Sequence, residues 1–214
     1  MNQFLKLRKS VSALFLLCVL LVQTNIRGAE SFELQDGDRV VFLGDALIEQ
    51  EQYAGWIEVM MTTAFPERDV TFRNLGWSAD TPSGKSRFGL SLLPAGREPA
   101  GEGWRQLVKQ LKFTQPTVIV FGYGMASALE GGIEGVAAFA KEYQRLIHTA
   151  ERLQPGVRCV FLSPLGSLSD THQKNQPHAS VLAAYTNAIS RIADANHGVF
   201  VDLSDVAIDN GLRK

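Results

Sequence analysis

The side chains able to do chemistry in this 214-residue chain lie mostly in short glycine-containing segments. Asp45 sits in Val41-Phe-Leu-Gly44-Asp45-Ala46, and Ser78 and Asp80 in Gly76-Trp77-Ser78-Ala79-Asp80. Ser127 closes Phe121-Gly-Tyr123-Gly124-Met-Ala126-Ser127. A serine hydroxyl is a weak nucleophile until an imidazole accepts its proton, and the imidazole needs a third group to hold its tautomer. Donors must also face the oxygen that becomes negative in the tetrahedral intermediate. The four imidazoles, His148, His172, His178 and His197, are scattered, and only His172 and His178 share a loop from which one could swing in as a base. The hydroxyls of Ser78 and Ser127 therefore read first as turn or capping groups and second as nucleophiles. Asp45 precedes a helix and reads as an acceptor for loop or helix-start N–H groups. Asp80 reads as part of an exposed loop, where it could bind a sugar hydroxyl or a cation. Trp77, Phe88 and Tyr123 could form an aromatic platform, with packing as the simpler role for at least two of them.

These residues are positioned by an alternation of strands and helices. Apolar, β-branched or aromatic runs predict strands over Arg39 to Leu43, Val70 to Asn74, Thr117 to Phe121, Val157 to Leu162 and Val199 to Asp202. Apolar spacings of three and four predict helices over Glu51 to Ala64, Trp104 to Phe113, Gly135 to Leu153 and Ala179 to His197. One stripe runs Ile133, Val136, Phe139, Tyr143, Leu146, Ile147, Ala150. Nearly all-apolar strands alternating with helices imply a parallel sheet covered on both faces, a three-layer α/β/α fold. The long Gly-, Pro- and Ser-rich segments Leu75 to Gly103 and Pro164 to Pro177 follow strands, at the carboxyl end of the sheet where open parallel sheets bind ligands.

The first 29 residues read as an address. Lys6, Arg8 and Lys9 precede an uncharged apolar run from Val11 to Val22, and Gly28-Ala29 offers a cleavage site. The run is about 12 residues against the roughly 20 of a spanning helix, so export without a stable membrane anchor is expected. Removal of this segment takes four of the 21 basic residues and none of the 22 acidic ones, for a net charge of −5. A domain of that charge is a poor nucleic-acid binder. Cys159 is then the only thiol, inside an apolar run, so no internal disulfide forms and a core role is expected. The absence of a glycine fingerprint opening a helix and of Cys/His metal spacing implies no cofactor.

The order of motifs at the strand ends, Gly44-Asp45-Ala46, then Asn74-Leu-Gly76, then Gly122-Tyr-Gly124-Met-Ala126, with Val201-Asp-Leu203 before the tail, resembles the SGNH (GDSL-type) hydrolases. That family comprises secreted esterases and lipases acting on acyl esters of carbohydrates or lipids. The resemblance covers about Asp36 to Lys214 and implies a five-stranded parallel flavodoxin-like sheet in one domain, 30–214, behind a 1–29 signal peptide. In the family the first motif carries the nucleophilic serine, the second an oxyanion-hole glycine, the third an asparagine and the last Asp-x-x-His. Carried over, those positions are Ala46, Gly76, Ala126, Asn210 and Arg213. Gly76 alone matches, offering its backbone N–H together with that of Ala46. A methyl cannot attack a carbonyl, and an arginine cannot act as a base at ordinary pH. The resemblance also implies a closing helix, which would fall past Lys214, so the expectation is either a fragment of a longer product or an eroded domain.

The expectation is thus an exported esterase-family domain whose serine mechanism is impaired. Its rivals are an esterase using Ser78 or Ser127, a non-catalytic module binding a carbohydrate or acyl-ester ligand, and an interaction domain. The residues expected to line a binding cleft are Asp45, Gly76, Trp77, Asp80 and Tyr123. The oligomeric state is left open.

Overall fold

The computed structural model describes residues 32–87, 101–166 and 179–204. Residues 1–29, where a leader is expected, and Phe88, His172, His178, Asn210 and Arg213 lie outside the described residues. Five strands, β1 (Arg39–Gly44), β2 (Thr71–Asn74), β3 (Val118–Gly122), β4 (Arg158–Leu162) and β5 (Val199–Val201), form one sheet in the order β2-β1-β3-β4-β5. Every pairing is parallel, with Val41 opposite Ile119 and Ile119 opposite Cys159. Each predicted strand is present to within a residue or two at its ends.

Successive side chains on a strand point to opposite faces, so the central strands bury two sets of residues. Val41, Leu43, Ile119, Phe121 and Phe161 join one core with Leu107 and Leu111 of α3 (Glu102–Thr114). The same core takes Phe139, Tyr143, Leu146, Ile147 and Ala150 from α5 (Val136–Leu153), and Leu182, Tyr185, Ile189 and Ile192 from α6 (Ala179–Ala195). The alternate residues Val40, Phe42, Val118, Val120, Val160 and Leu162 are buried as well, as expected of a sheet covered on both faces. Tyr143 anchors an aromatic cluster, with ring centroids 5.2 Å from Phe139 and 5.6 Å from Phe121. Ile133, assigned from the sequence to the same stripe, is instead 57% exposed in a 3-10 turn ahead of α5.

Two helical assignments need correction. The single helix expected over Glu51 to Ala64 is two helices, α1 (Ala46–Ala54) and α2 (Trp56–Ala64). They are separated by Gly55 at φ 66°, a left-handed conformation open to glycine and closed to most residues. A short helix, α4 (Met125–Gly131), follows β3 where no helix was expected, because seven residues between Gly124 and Gly132 are too few to show a period.

At the opposite edge of the sheet Asp38 ties the strand starts together. Its carboxylate takes Arg158 Nη2 at 2.5 and 2.6 Å, the Thr117 hydroxyl at 2.7 Å and the Gln35 N–H at 2.6 Å. Burial alone would raise this carboxyl, but these donors outweigh it and hold it below its ordinary value. Cys159 is half-buried, and burial pushes its thiol up to about 12, so it stays protonated in the apolar role expected of it.

Candidate functional site

Three strand-end turns converge because their glycines let backbones touch. A Cβ on Gly44 would lie 2.3 Å from Gly122 O, and one on Gly122 would lie 2.6 Å from Ile48 Cγ1. Ile48 of α1 is fully buried in the space so left. The turns are joined by Asp45 N–H to Gly122 O at 3.0 Å and Trp77 N–H to Gly44 O at 3.0 Å. Helix α1 therefore starts directly over the carboxyl ends of β1 and β3.

Ala46 is the first residue of α1 and is exposed, on the rim of a cavity of about 300 Å³. Leu47, Met125, Pro164 and Leu165 give the cavity its apolar wall, and Asp45, Gln50 and Ser163 are its polar members. Ser163 is not free to react: its Oγ lies 3.0 Å from Asp202 Oδ1 and accepts the Leu203 N–H at 2.7 Å, closing β4 onto β5.

Asp45 is 3% exposed. Its Oδ2 accepts the Ala126 N–H at 3.2 Å, so the first motif holds the start of the helix after the third, the acceptor role expected of it. Burial pushes this carboxyl up to about 6, against the opposing pull of the N–H groups of Ala126, Leu47, Gly124 and Met125.

Gly76 departs from the expectation that its N–H is open to a ligand. That N–H donates to Asn74 Oδ1 at 2.8 Å, while Asn74 Nδ2 donates to Ile48 O at 2.7 Å. An Asn bonding the N–H two residues on is an Asx turn, a local signal present in Asn74-Leu-Gly76 and overlooked there. A Cβ on Gly76 would also stand 2.3 Å from Glu49 N and 2.5 Å from Ile48 C, both backbone atoms of α1. Gly76→Ala is expected to cost about 1–3 kcal/mol by pushing α1 off the sheet edge. An unchanged urea midpoint for that variant would show that α1 moves freely.

Other candidates are also redistributed. Asp80 is not an exposed ligand: it is fully buried, and Arg87 Nε donates to its Oδ2 at 2.7 Å. Tyr123 lines the cavity at Ala46, as expected, but it is 1% exposed with its hydroxyl donating to the same Oδ2 at 3.2 Å, so it is a wall of the cavity and not an open aromatic platform. Burial raises Asp80 above its ordinary value despite the neighbouring guanidinium. Arg87, which the sequence reading missed, has no periodic or motif relation to Asp80 that could have revealed it. Trp77 remains 38% exposed beside α1. The Ser78 hydroxyl donates to the Glu49 carboxylate, and Ser127 is buried within α4. Neither serine is bonded to an imidazole among the described residues, and neither His148 nor His197 lines the cavity. Among the described residues, no three His, Cys, Asp or Glu side chains are grouped to hold a metal, and no helix is long and apolar enough to cross a membrane.

The family described as GDSL-like Lipase/Acylhydrolase matches residues 42–214. Solved structures of similar fold include an acetyl xylan esterase from Geobacillus stearothermophilus, 15% identical, covering 86% of this chain and 84% of that one with a TM-score of 0.56. A psychrotrophic esterase, EstA, from Pseudoalteromonas sp., inhibited by monoethylphosphonate, is 16% identical over 77% of each chain with a TM-score of 0.51. A gut microbial diltiazem-metabolizing enzyme is 18% identical with a TM-score of 0.55; the match covers 85% of this chain and 40% of that one. At these identities the likeness is one of fold. No curated protein matches the chain.

Proposed function

This chain belongs to the GDSL-like Lipase/Acylhydrolase family, and from that premise we propose that it keeps the family's ester-binding scaffold but has lost serine-dependent hydrolysis. The observation that carries this reading is the methyl of Ala46 on the cavity rim, at the start of α1, where the family places its nucleophile. Disabling one member of a serine triad can cost on the order of 10⁶ in turnover, and further losses add little. What is left is a binding site for a carbohydrate or acyl ester, and acetylated xylan, named for one structure of similar fold, is the first ligand to try.

The test is intact-mass analysis of the mature protein after exposure to a fluorophosphonate, with ester hydrolysis followed in parallel and the Pseudoalteromonas esterase as positive control. No adduct and no turnover from folded protein is the expected result. The contact of Ser78 with Glu49 favours one rival, a serine activated by a carboxylate. An adduct mapped to Ser78 with matching turnover would establish that rival and overturn the first reading. Ala46→Ser alone is expected to leave hydrolysis at background, since a positioned general base contributes about 10²–10⁴ and the Asn210 and Arg213 positions supply none. A gain of about 100-fold would reveal a base elsewhere.

Export completes the proposal: we place the mature protein in the periplasm or medium, without a membrane anchor and without a nucleic-acid partner. N-terminal sequencing of the exported protein is expected to begin near Glu30, and recovery of chains still carrying Met1 would overturn it.

A further inference from the structure

We propose that the groove between α3 and α5 is a second binding site, for a linear polysaccharide bearing carboxylates or sulfates. It has a volume of about 950 Å³ and shares no lining residue with the cavity at Ala46. Lys141, Arg145, His148 and Arg152 follow one another at steps of four, three and four residues, which puts all four on one face of α5. Eleven residues of helix make this row about 16 Å long.

Two features distinguish the row from an ordinary solvated face. First, Lys141, Arg145 and Arg152 line a single groove, and among the described residues no carboxylate lies within ion-pair distance of any of them. The one acid in the groove, Glu151, accepts the Gly156 N–H at 3.0 Å. Three cations against one acid gather here although the mature chain is acidic overall. Second, the Arg145 guanidinium is stacked over Trp104 of α3, 3.8 Å from the ring centroid. Stacking fixes the plane of the guanidinium and leaves its N–H edge for the two oxygens of a carboxylate or sulfate.

Between the cations stand hydrogen-bonding groups: the Gln144 amide, the His148 ring 3.0 Å from it, and the Thr149 hydroxyl, which accepts from Arg152 Nη2 at 3.1 Å. Charges spaced by hydrogen-bonding groups suit a ligand whose anionic groups are spaced by hydroxyls. A single-stranded nucleic acid would instead need open aromatic faces for its bases, and the face of Trp104 is taken by Arg145.

The test is calorimetric titration of the mature protein at low salt with oligogalacturonate and with dextran sulfate. Neutral dextran, poly-glutamate and single-stranded DNA serve as comparisons. Binding to at least one of the two anionic polysaccharides is expected, weakening as salt rises. Lys141→Gln combined with Arg145→Gln is expected to weaken it at least about tenfold while the protein stays folded, its melting temperature falling only by the loss of the Trp104 contact. Arg152→Gln, at the far end of the row, is a second variant expected to weaken it in the same direction. Binding of oligogalacturonate but not dextran sulfate would assign the ligand to the uronates, and the reverse to the sulfated glycans. No binding of either, equal or tighter binding of poly-glutamate or DNA, or full affinity in the double variant would overturn the proposal.

Discussion

Arg87→Met is expected to remove about 3–5 kcal/mol of folding stability, the range for breaking a buried ion pair from one side. Arg87 makes three contacts that one apolar side chain cannot replace: Nε to Asp80 Oδ2 at 2.7 Å, Nη1 to Gln110 Oε1 at 2.8 Å and Nη2 to Leu75 O at 2.6 Å. Both side chains of the ion pair are at most 1% exposed, so water cannot take over the lost contacts. Asp80, left with Tyr123 and the Ser86 N–H, would retain a proton to avoid a bare buried charge. The network reaches the cavity through Tyr123, which bonds Asp80 and lines the wall, so the loss should loosen the candidate site before the whole domain melts. Arg87→Lys, with a point charge in place of a three-way fork, should recover only part of the stability. Urea unfolding with an unchanged slope is the measurement, and a loss below about 1 kcal/mol would show that the network relaxes around the gap.

Asp45→Asn is expected to stabilise the protein at neutral pH. The Asp45 carboxyl moves from 3.8 to about 6 on folding, because burial disfavours its charged form. Near pH 4 and below, the acid is protonated in both states and the substitution is close to neutral. As pH rises from about 4 to 6, the unfolded chain releases this proton while the native state keeps it, so native stability falls over that window. Above pH 6 the full cost is present, roughly two pKa units or about 3 kcal/mol. An Asn side chain keeps an acceptor for the Ala126 N–H and carries no charge, so the variant should be more stable by about that amount at pH 7.5. It should also lack the slope between pH 4 and 6. A variant less stable than the parent at pH 7.5 would show that the anion is held by its N–H donors more firmly than its burial penalises it.

Much of this architecture was legible in the residues. Runs such as Val118 to Gly122, apolar on both faces, and the 3.6-residue stripe from Val136 to Ala150 encode their own geometry, because strand and helix periods are local properties of the chain. Asp45 was legible as an acceptor but its partner was not, since its side chain takes the Ala126 N–H of a helix 81 residues away and makes no cap bond to the helix that it precedes. Helix α2 shows where periodicity stops informing: its apolar residues predict a helix, and one forms, yet none of the nine is buried. The turn at Gly55 that separates it from α1 is one residue long, too short for a pattern in the surrounding run to register. At Gly76 the family resemblance pointed to an open N–H, while a two-residue Asx turn had already supplied its partner.

By itself the sequence determined the parallel α/β fold, the order of the strand-end motifs and the residue at position 46, whose methyl carries no lone pair in any conformation. The tertiary structure decided everything that depends on exclusion of water or on distant partners. It turned Asp80 from a loop ligand into half of a buried ion pair, tied the Tyr123 hydroxyl to that pair and raised the Asp45 carboxyl. It also left Lys141, Arg145 and Arg152 of α5 without an ion-pair partner among the described residues. Periods and turns are written in bonds between near neighbours, whereas the charge state and accessibility of a side chain depend on which residues, tens of positions away, displace the solvent around it.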